Sequence, residues 1–212
     1  MKPGIVAGLM AALLAVPLTV FSQGAGPGDA QPENAERIES GSAVLPGGDR
    51  VAYRIRLLPV TSFPDLPAPV AGELQRRQCM IPQSFEARQP ENVIRGSFRA
   101  AGSSDWAALC SSDGTTTLYV FFAGQFGAPV ALRSQPDSAW LGAEPGSSVF
   151  GSSWGISARS GSELRATPEL RRGVDIDHDA IDDARLERSW TIHYFQNGRW
   201  ITLQQSDGGN ED

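Results

Sequence analysis

The chain is short of basic and metal-binding residue types: among its 212 residues Lys2 is the one lysine, and His178 and His193 are the two histidines. Cys79 and Cys110 are its only cysteines, and no long apolar run follows Phe21. Each shortage excludes something. A surface for nucleic acid or an anionic membrane needs clustered basic groups, whereas the net charge here is −6; neither partner fits. A phosphate cradle of the P-loop type needs a lysine behind its glycines, and no such lysine follows Lys2. Zinc needs three or four close N, S or carboxylate ligands, and no HxxxH or HExxH spacing exists. Of the candidates, only His178 with Asp179 and Asp183 comes near that requirement. His193, in "TIHYF", reads as a strand histidine.

What is present begins with a compartment signal. Lys2, the uncharged apolar run from Ile5 to Phe21 and the small and polar residues after it form the layout of a secretory signal peptide. Gly8 and Pro17 interrupt the run and no basic cluster follows it, which favours cleavage over a membrane anchor. Residues 1–22 are therefore assigned to the signal peptide, and the exported chain is expected in a periplasm or outside the cell, with no membrane association once the signal is gone. Neither cysteine lies near the junction, so lipid attachment there is excluded. In an oxidising compartment, two cysteines with no CxxC partner read as one disulfide, Cys79 to Cys110, with two buried free thiols as the alternative.

Residues 23–41 are rich in Gly, Pro, Ala and acids and read as a flexible leader, and residues 206–212 read as an acidic disordered tail. Between them, residues 42–205 suffice for one domain with its own core. Apolar runs there are brief and turn residues frequent, which predicts short strands. In "VAYRIRLLPV", Tyr53, Ile55 and Leu57 alternate with Arg54 and Arg56, the pattern of a half-buried strand. "PAPVAGELQRRQC" is the clearest helix, with proline at its start and Val70 and Leu74 four residues apart. Further strands are expected at "NVIRGSF", "DWAALCS", "TTLYVFFA", "APVALR", "SVFGSSWGISA", "SWTIHYFQ" and "RWITLQQ". Asn197-Gly198 joins the last two in a type I′ hairpin turn. The fold class is mainly β: a single small antiparallel domain with one short N-terminal helix.

One stretch carries most of the candidate chemistry. "VDIDHDAIDDA", residues 174–184, holds five acidic side chains, and the segment from Asp175 to Phe195 aligns with the one from Ser97 to Phe122. Ser97 meets Asp175, Phe98 meets Ile176, Gly102 meets Ala180 and Asp105 meets Asp183, and each segment continues into two strands. "DIDHDAIDD" and "GSFRAAGSSDWA" resemble the calcium-loop frame of FG-GAP and VCBS repeats. That resemblance implies a calcium ion held by Asp175, Asp177, Asp179 and Asp183, with the Ile181 backbone carbonyl. Ala180 stands where the repeats have glycine. The first copy has Ser97, Arg99 and Ala101 in place of acids, so it is expected to bind no metal. Two such units do not make a full propeller. "CMIPQ", "NVIRGSF", "DWAALC" and "HYFQNGRW" also resemble a group of secreted bacterial proteins, which implies no particular activity.

Apart from that resemblance, alternating acids can converge hard oxygens on a Ca²⁺ ion, which accepts six to eight of them. The alternative is an open, solvated acidic turn. An EF-hand is disfavoured because Leu186 stands where its bidentate Glu belongs. "GSSWG", Gly151 to Gly155, matches the nucleophile-elbow pattern, and Ser153, Asp183 and His193 follow the chain order of an α/β-hydrolase triad, but no helical pattern follows. Asp179, Asp182, Asp183 and Glu187 supply carboxylates for a glycosidase-like pair. The five tryptophans could line a glycan groove or fill a core. These features together predict an exported binding protein with an unidentified protein or glycan ligand and a calcium-braced loop. The rival is a small secreted hydrolase using Ser153, or the Asp179 and Asp183 cluster with a histidine.

Overall fold

The computed structural model describes residues 35–45, 47–143, 146–167, 170, 174–186 and 188–206. The stretch expected to be a signal peptide (residues 1–22), residues 23–34 of the expected leader and residues 207–212 of the expected tail lie outside the described residues. Within them no helix is long and apolar enough to cross a membrane.

The chain is mainly β, built as two sheets with no closed barrel or propeller. Strands β1 (Arg37–Val44), β2 (Arg50–Pro59), β3 (Met80–Gln83), β4 (Val93–Gly96), β5 (Asp105–Ser112), β6 (Thr115–Phe121), β7 (Val130–Pro136), β8 (Leu141–Ala143) and β9 (Phe150–Ser152) form the larger sheet. Its order is β7-β6-β5-β3-β2-β9-β8, with β1 added to β2 and β4 to β5. The second sheet is the antiparallel run β10 (Trp154–Arg159), β11 (Ala180–Arg185), β12 (Ser189–Gln196) and β13 (Arg199–Ser206).

Local sequence explains most of these elements. Ile55 and Leu57 of β2 are buried, while Arg54 faces water and Arg56 lies half-buried against Glu36, as alternation predicts. Helix α1 (Ala68–Arg76) starts behind Pro67 and buries Val70 and Leu74 against the disulfide and Phe121. Cys79 and Cys110 are bonded, and they link β5 to the segment leaving α1. Asn197 and Gly198 take φ angles of 53° and 78°, the positive values of a type I′ turn, between β12 and β13. A second short helix, α2 (Gly161–Ala166), falls where no helical face was legible. It lacks an apolar stripe but is capped at both its first groups by Ser160 and Glu163, a reciprocal capping box.

Two strands appear where composition hid them. β1 occupies Arg37 to Gly41, the end of the stretch read as leader, because its backbone pairs with β2 over all eight residues and Glu36 reaches Arg56 at 2.8 Å. β11 runs through the second half of the acidic stretch, as an inner strand between β10 and β12.

One face of the second sheet packs on the first through Trp154, Ile156, Ile181, Phe195 and Trp200, which meet Phe98, Leu109, Leu118, Val120 and Trp140. Its other face gathers Ile192 and Tyr194 with Leu164 and Ile176. Asn92 fastens the two sheets. Buried and held at φ 69°, it donates to the carbonyls of Pro82 (2.7 Å) and Trp154 (3.1 Å) and accepts from the Ile156 N–H (3.0 Å). It thereby satisfies edge groups of β10 that would otherwise be buried unpaired.

Candidate functional site

The acidic stretch does not close on a point. Asp175 and Asp177 are exposed, and Asp177 meets Tyr194, whose hydroxyl accepts its N–H (3.0 Å) and lies 3.1 Å from its carboxylate. Asp179 turns the other way. Its carboxylate accepts from the backbone N–H of Ser97 (2.9 Å) and of Gly161 (3.0 Å), and its own N–H donates to the Ser97 carbonyl (3.1 Å). From Ala180 the chain is extended, so Ile181 is a core residue paired with His193 and Asp183 lies inside the sandwich. Four extended residues span about 13 Å, whereas two ligands of one calcium ion lie within about 5 Å of each other. With the Asp179 carboxylate turned to the backbone of Ser97 and Gly161 and that of Asp183 to Trp154, Arg133 and His193, the two do not share an ion. Among the described residues, no three His, Cys, Asp or Glu side chains are placed to hold one. The calcium set implied by the repeat resemblance does not fit this arrangement, and the carboxylates of Asp177, Asp179 and Asp183 have separate hydrogen-bond partners instead. His178 is likewise committed: its buried ring stacks on Tyr194 at 4.2 Å, and its nitrogens lie 3.0 and 2.8 Å from the carbonyl oxygens of Asp179 and Phe195.

Asp183 is the centre of the buried chemistry. Its carboxylate takes hydrogen bonds from the Trp154 indole (2.6 Å), from Arg133 of β7 (3.0 Å) and from His193 of β12 (3.1 Å). Burial alone would push this carboxyl up. The His193 hydrogen bond and the Arg133 guanidinium outweigh it and hold the group below the usual carboxylate range. Arg133 also covers the ring of Trp140, which stacks on Trp154 at 3.9 Å. An ion pair thus joins the two sheets beside the Trp140–Trp154 stack.

Two members of the serine triad, Asp183 and His193, are therefore together, and the third is not joined to them. Ser153 is buried, and its hydroxyl donates to the Trp140 carbonyl at 2.7 Å. The glycine that opens the G-x-S-x-G pattern has a packing role: a Cβ on Gly151 would lie 2.7 Å from the Cβ of Phe85. No helix follows Ser153; β10 does. A carboxylate pair is not formed either. Asp182, next to Asp183 in a strand, takes the opposite face and pairs with Arg159 at 2.7 Å. Burial pushes its carboxyl up, against the pull of Arg159. Glu187 lies outside the described residues. Of the tryptophans, Trp140 and Trp154 are buried, and Trp106, Trp190 and Trp200 are half-buried.

Two surface recesses lying away from the acidic stretch are large enough to take a ligand. The larger, about 670 Å³, lies beside the disulfide and is lined largely by polar groups such as Gln75, Gln78, Ser112 and Asp113. The other, about 440 Å³, runs along the outer face of β1 and β2 toward β9. Ile38, Phe85, Val149 and Phe150 give it apolar walls, and Arg54 and Arg56 give it charge. Gln83 and Ser152, both buried, support it from below. Apolar walls with a few placed polar groups are the usual makeup of a ligand groove.

No family model, curated protein or solved structure matches the chain.

Sequence reasoning missed the residues that organise these sites. Arg133 sits in an unremarkable strand, and its role depends on a partner fifty positions away. Asn92 carried one signal, an Asn in a "PEN" turn that tolerates positive φ. Asp105, in the first acidic frame, is fully buried and accepts from the N–H groups of Arg99 and Ala123, a structural use of the same aspartate position.

Proposed function

We propose that this chain is an exported binding protein whose ligand, a protein segment or a glycan, lies in the groove along β1, β2 and β9. The observation that carries the reading is the groove's composition: an exposed Arg54, unpaired among the described residues, beside the apolar walls of Ile38 and Phe85. Arg56 is already neutralised by Glu36, so Arg54 is the charge left to a ligand. A carboxylate or sulfate on the ligand would match it, since a guanidinium presents a planar fork to such groups. The hydrolase reading draws less support, because the Ser153 hydroxyl is spent on a backbone carbonyl. The disulfide fits an oxidising compartment.

The test is a screen of the oxidised protein against arrays of acidic peptides and of sulfated or uronic-acid glycans, repeated with Arg54→Glu. Retention of a ligand class by the wild type and its loss in the variant, at equal thermal stability, is the expected result. Ligands that bind both proteins equally would place the site elsewhere, and turnover of a chromogenic ester abolished by Ser153→Ala would restore the hydrolase.

A further inference from the structure

The two sheets offer several strand edges, and nearly all of them are blunted. β4 and β8 are only four and three residues long. β10 is closed by Asn92. β7 carries an extra residue, Leu132, in its pairing with β6 and ends at Pro136; β13 carries an extra residue, Leu203, opposite Ile192 and His193. Short length, bulges and proline are the devices by which natural sheets keep their edges from pairing with another chain. β1 has none of these: it pairs with β2 in unbroken register for eight residues, contains neither lysine nor proline, and among the described residues has no strand on its other side. The exposed large hydrophobic side chains of the described chain are Ile38 and Val44, and both belong to β1.

We propose that β1 is a dimerisation edge, on which two copies of this chain pair antiparallel about a two-fold axis at Gly41. In an antiparallel self-pairing centred there, Ile38 of one copy lies opposite Val44 of the other, twice over, and Ser40 lies opposite Ser42. Residues 38, 40, 42 and 44 share one face of the strand, so the two exposed apolar side chains of each copy are covered by those of its mate. A two-fold contact requires this kind of self-complementarity. The pairing sets no like charges against each other: Arg50, Arg54 and Arg56 lie on β2, and the β2 strands of the two copies would stand about 14 Å apart, three strand spacings. That exceeds the screening length of about 8 Å at physiological salt. The interface is small, so the dimer is a reversible one. The inference does not depend on the ligand reading, although the two surfaces share Ile38.

Sedimentation equilibrium of the oxidised chain, its N-terminus established by mass spectrometry, tests it over a range of concentrations. The expected result is a monomer–dimer equilibrium that Ile38→Lys or Val44→Lys weakens at least tenfold, with thermal midpoints at high dilution unchanged because both side chains are exposed. Ile38→Glu and Val44→Lys each associate at least tenfold more weakly than the wild type alone, and their equimolar mixture associates more tightly than either, because only the mixed pair sets the introduced carboxylate against the introduced ammonium while keeping one Ile–Val contact. A wild type that stays monomeric at every concentration overturns the proposal. So does a dimer indifferent to both lysine variants. A mixture that associates no more tightly than either variant alone overturns the Gly41 register.

Discussion

Adjacent aspartates of β11 should respond oppositely to neutralisation. The Asp183 carboxylate is fully shielded from water and accepts from Trp154, Arg133 and His193. Hydrogen bonds to a charged group contribute about 1.5–3 kcal/mol each. The share of Arg133 must be discounted, because its side chain is 37% exposed. Asp183→Asn keeps an acceptor for the indole and turns an amide N–H₂ toward donors, at a net cost of about 3 kcal/mol at neutral pH. For a chain of this size that lowers Tm by about 6–12 °C. The folded carboxyl sits below its unfolded value of about 3.9. Its contribution is therefore fully present above that pH and is lost as pH falls through the folded value, so the gap between variant and wild type narrows in acid. Asp182 has the reverse sign: its folded carboxyl is raised, so ionisation costs stability as pH rises past the unfolded value. Asp182→Asn should leave the midpoint at pH 7 unchanged or higher. Urea unfolding at pH 7 and pH 3, disulfide intact, measures both. Equal stability of Asp183→Asn and wild type at pH 7, or a gap that does not shrink in acid, would refute the assignment.

Other consequences are as easily checked. Excess EDTA followed by millimolar Ca²⁺ should leave Tm unmoved, since the acidic carboxylates are dispersed; a site saturated at a hundred times its Kd would instead add about 2.7 kcal/mol. Removing the disulfide as Cys79→Ser with Cys110→Ser opens a loop with a sequence separation of 31 residues, and should cost about 3–4 kcal/mol by chain entropy, read from the shift in urea midpoint. Asn92→Asp sets a carboxylate against the carbonyls of Pro82 and Trp154 and should cost about 3 kcal/mol or more, whereas an exposed control such as Arg88→Gln should be neutral in the same assay.

The legible part of the fold is the part whose signal is local. β2 announced itself because alternate side chains are buried, α1 through Pro67 and its Val70–Leu74 spacing, and the β12–β13 turn through Asn197-Gly198, where the backbone requirement falls on the two residues themselves. β1 was illegible because an edge strand is held by backbone bonds to one neighbour and needs no apolar face. β11 was masked by its own acids: Asp182 and Asp183 look like solvated loop residues until Arg159 and Arg133 are brought to them from other strands. The same holds for the candidate site. Acidic density was visible in the sequence, but whether four carboxylates meet on an ion or disperse to separate donors depends on the backbone after Asp179, which becomes extended as soon as Arg159 and His193 flank it.

The reciprocal bonds between Ser97 and Asp179 bear on the order of assembly. Residues 82 apart can find each other only after nearly the whole chain is available, and the ties of Asn92 to β10 and of Arg133 to β11 share that dependence. The covalent link, by contrast, needs only the residues up to Cys110. Contacts of long sequence separation are slow to form because loop closure precedes their reward. In a chain that emerges N-terminus first, both cysteines are therefore present before any strand of the second sheet, and β10 to β13 come last to a sheet whose β5 is already tied to the segment after α1.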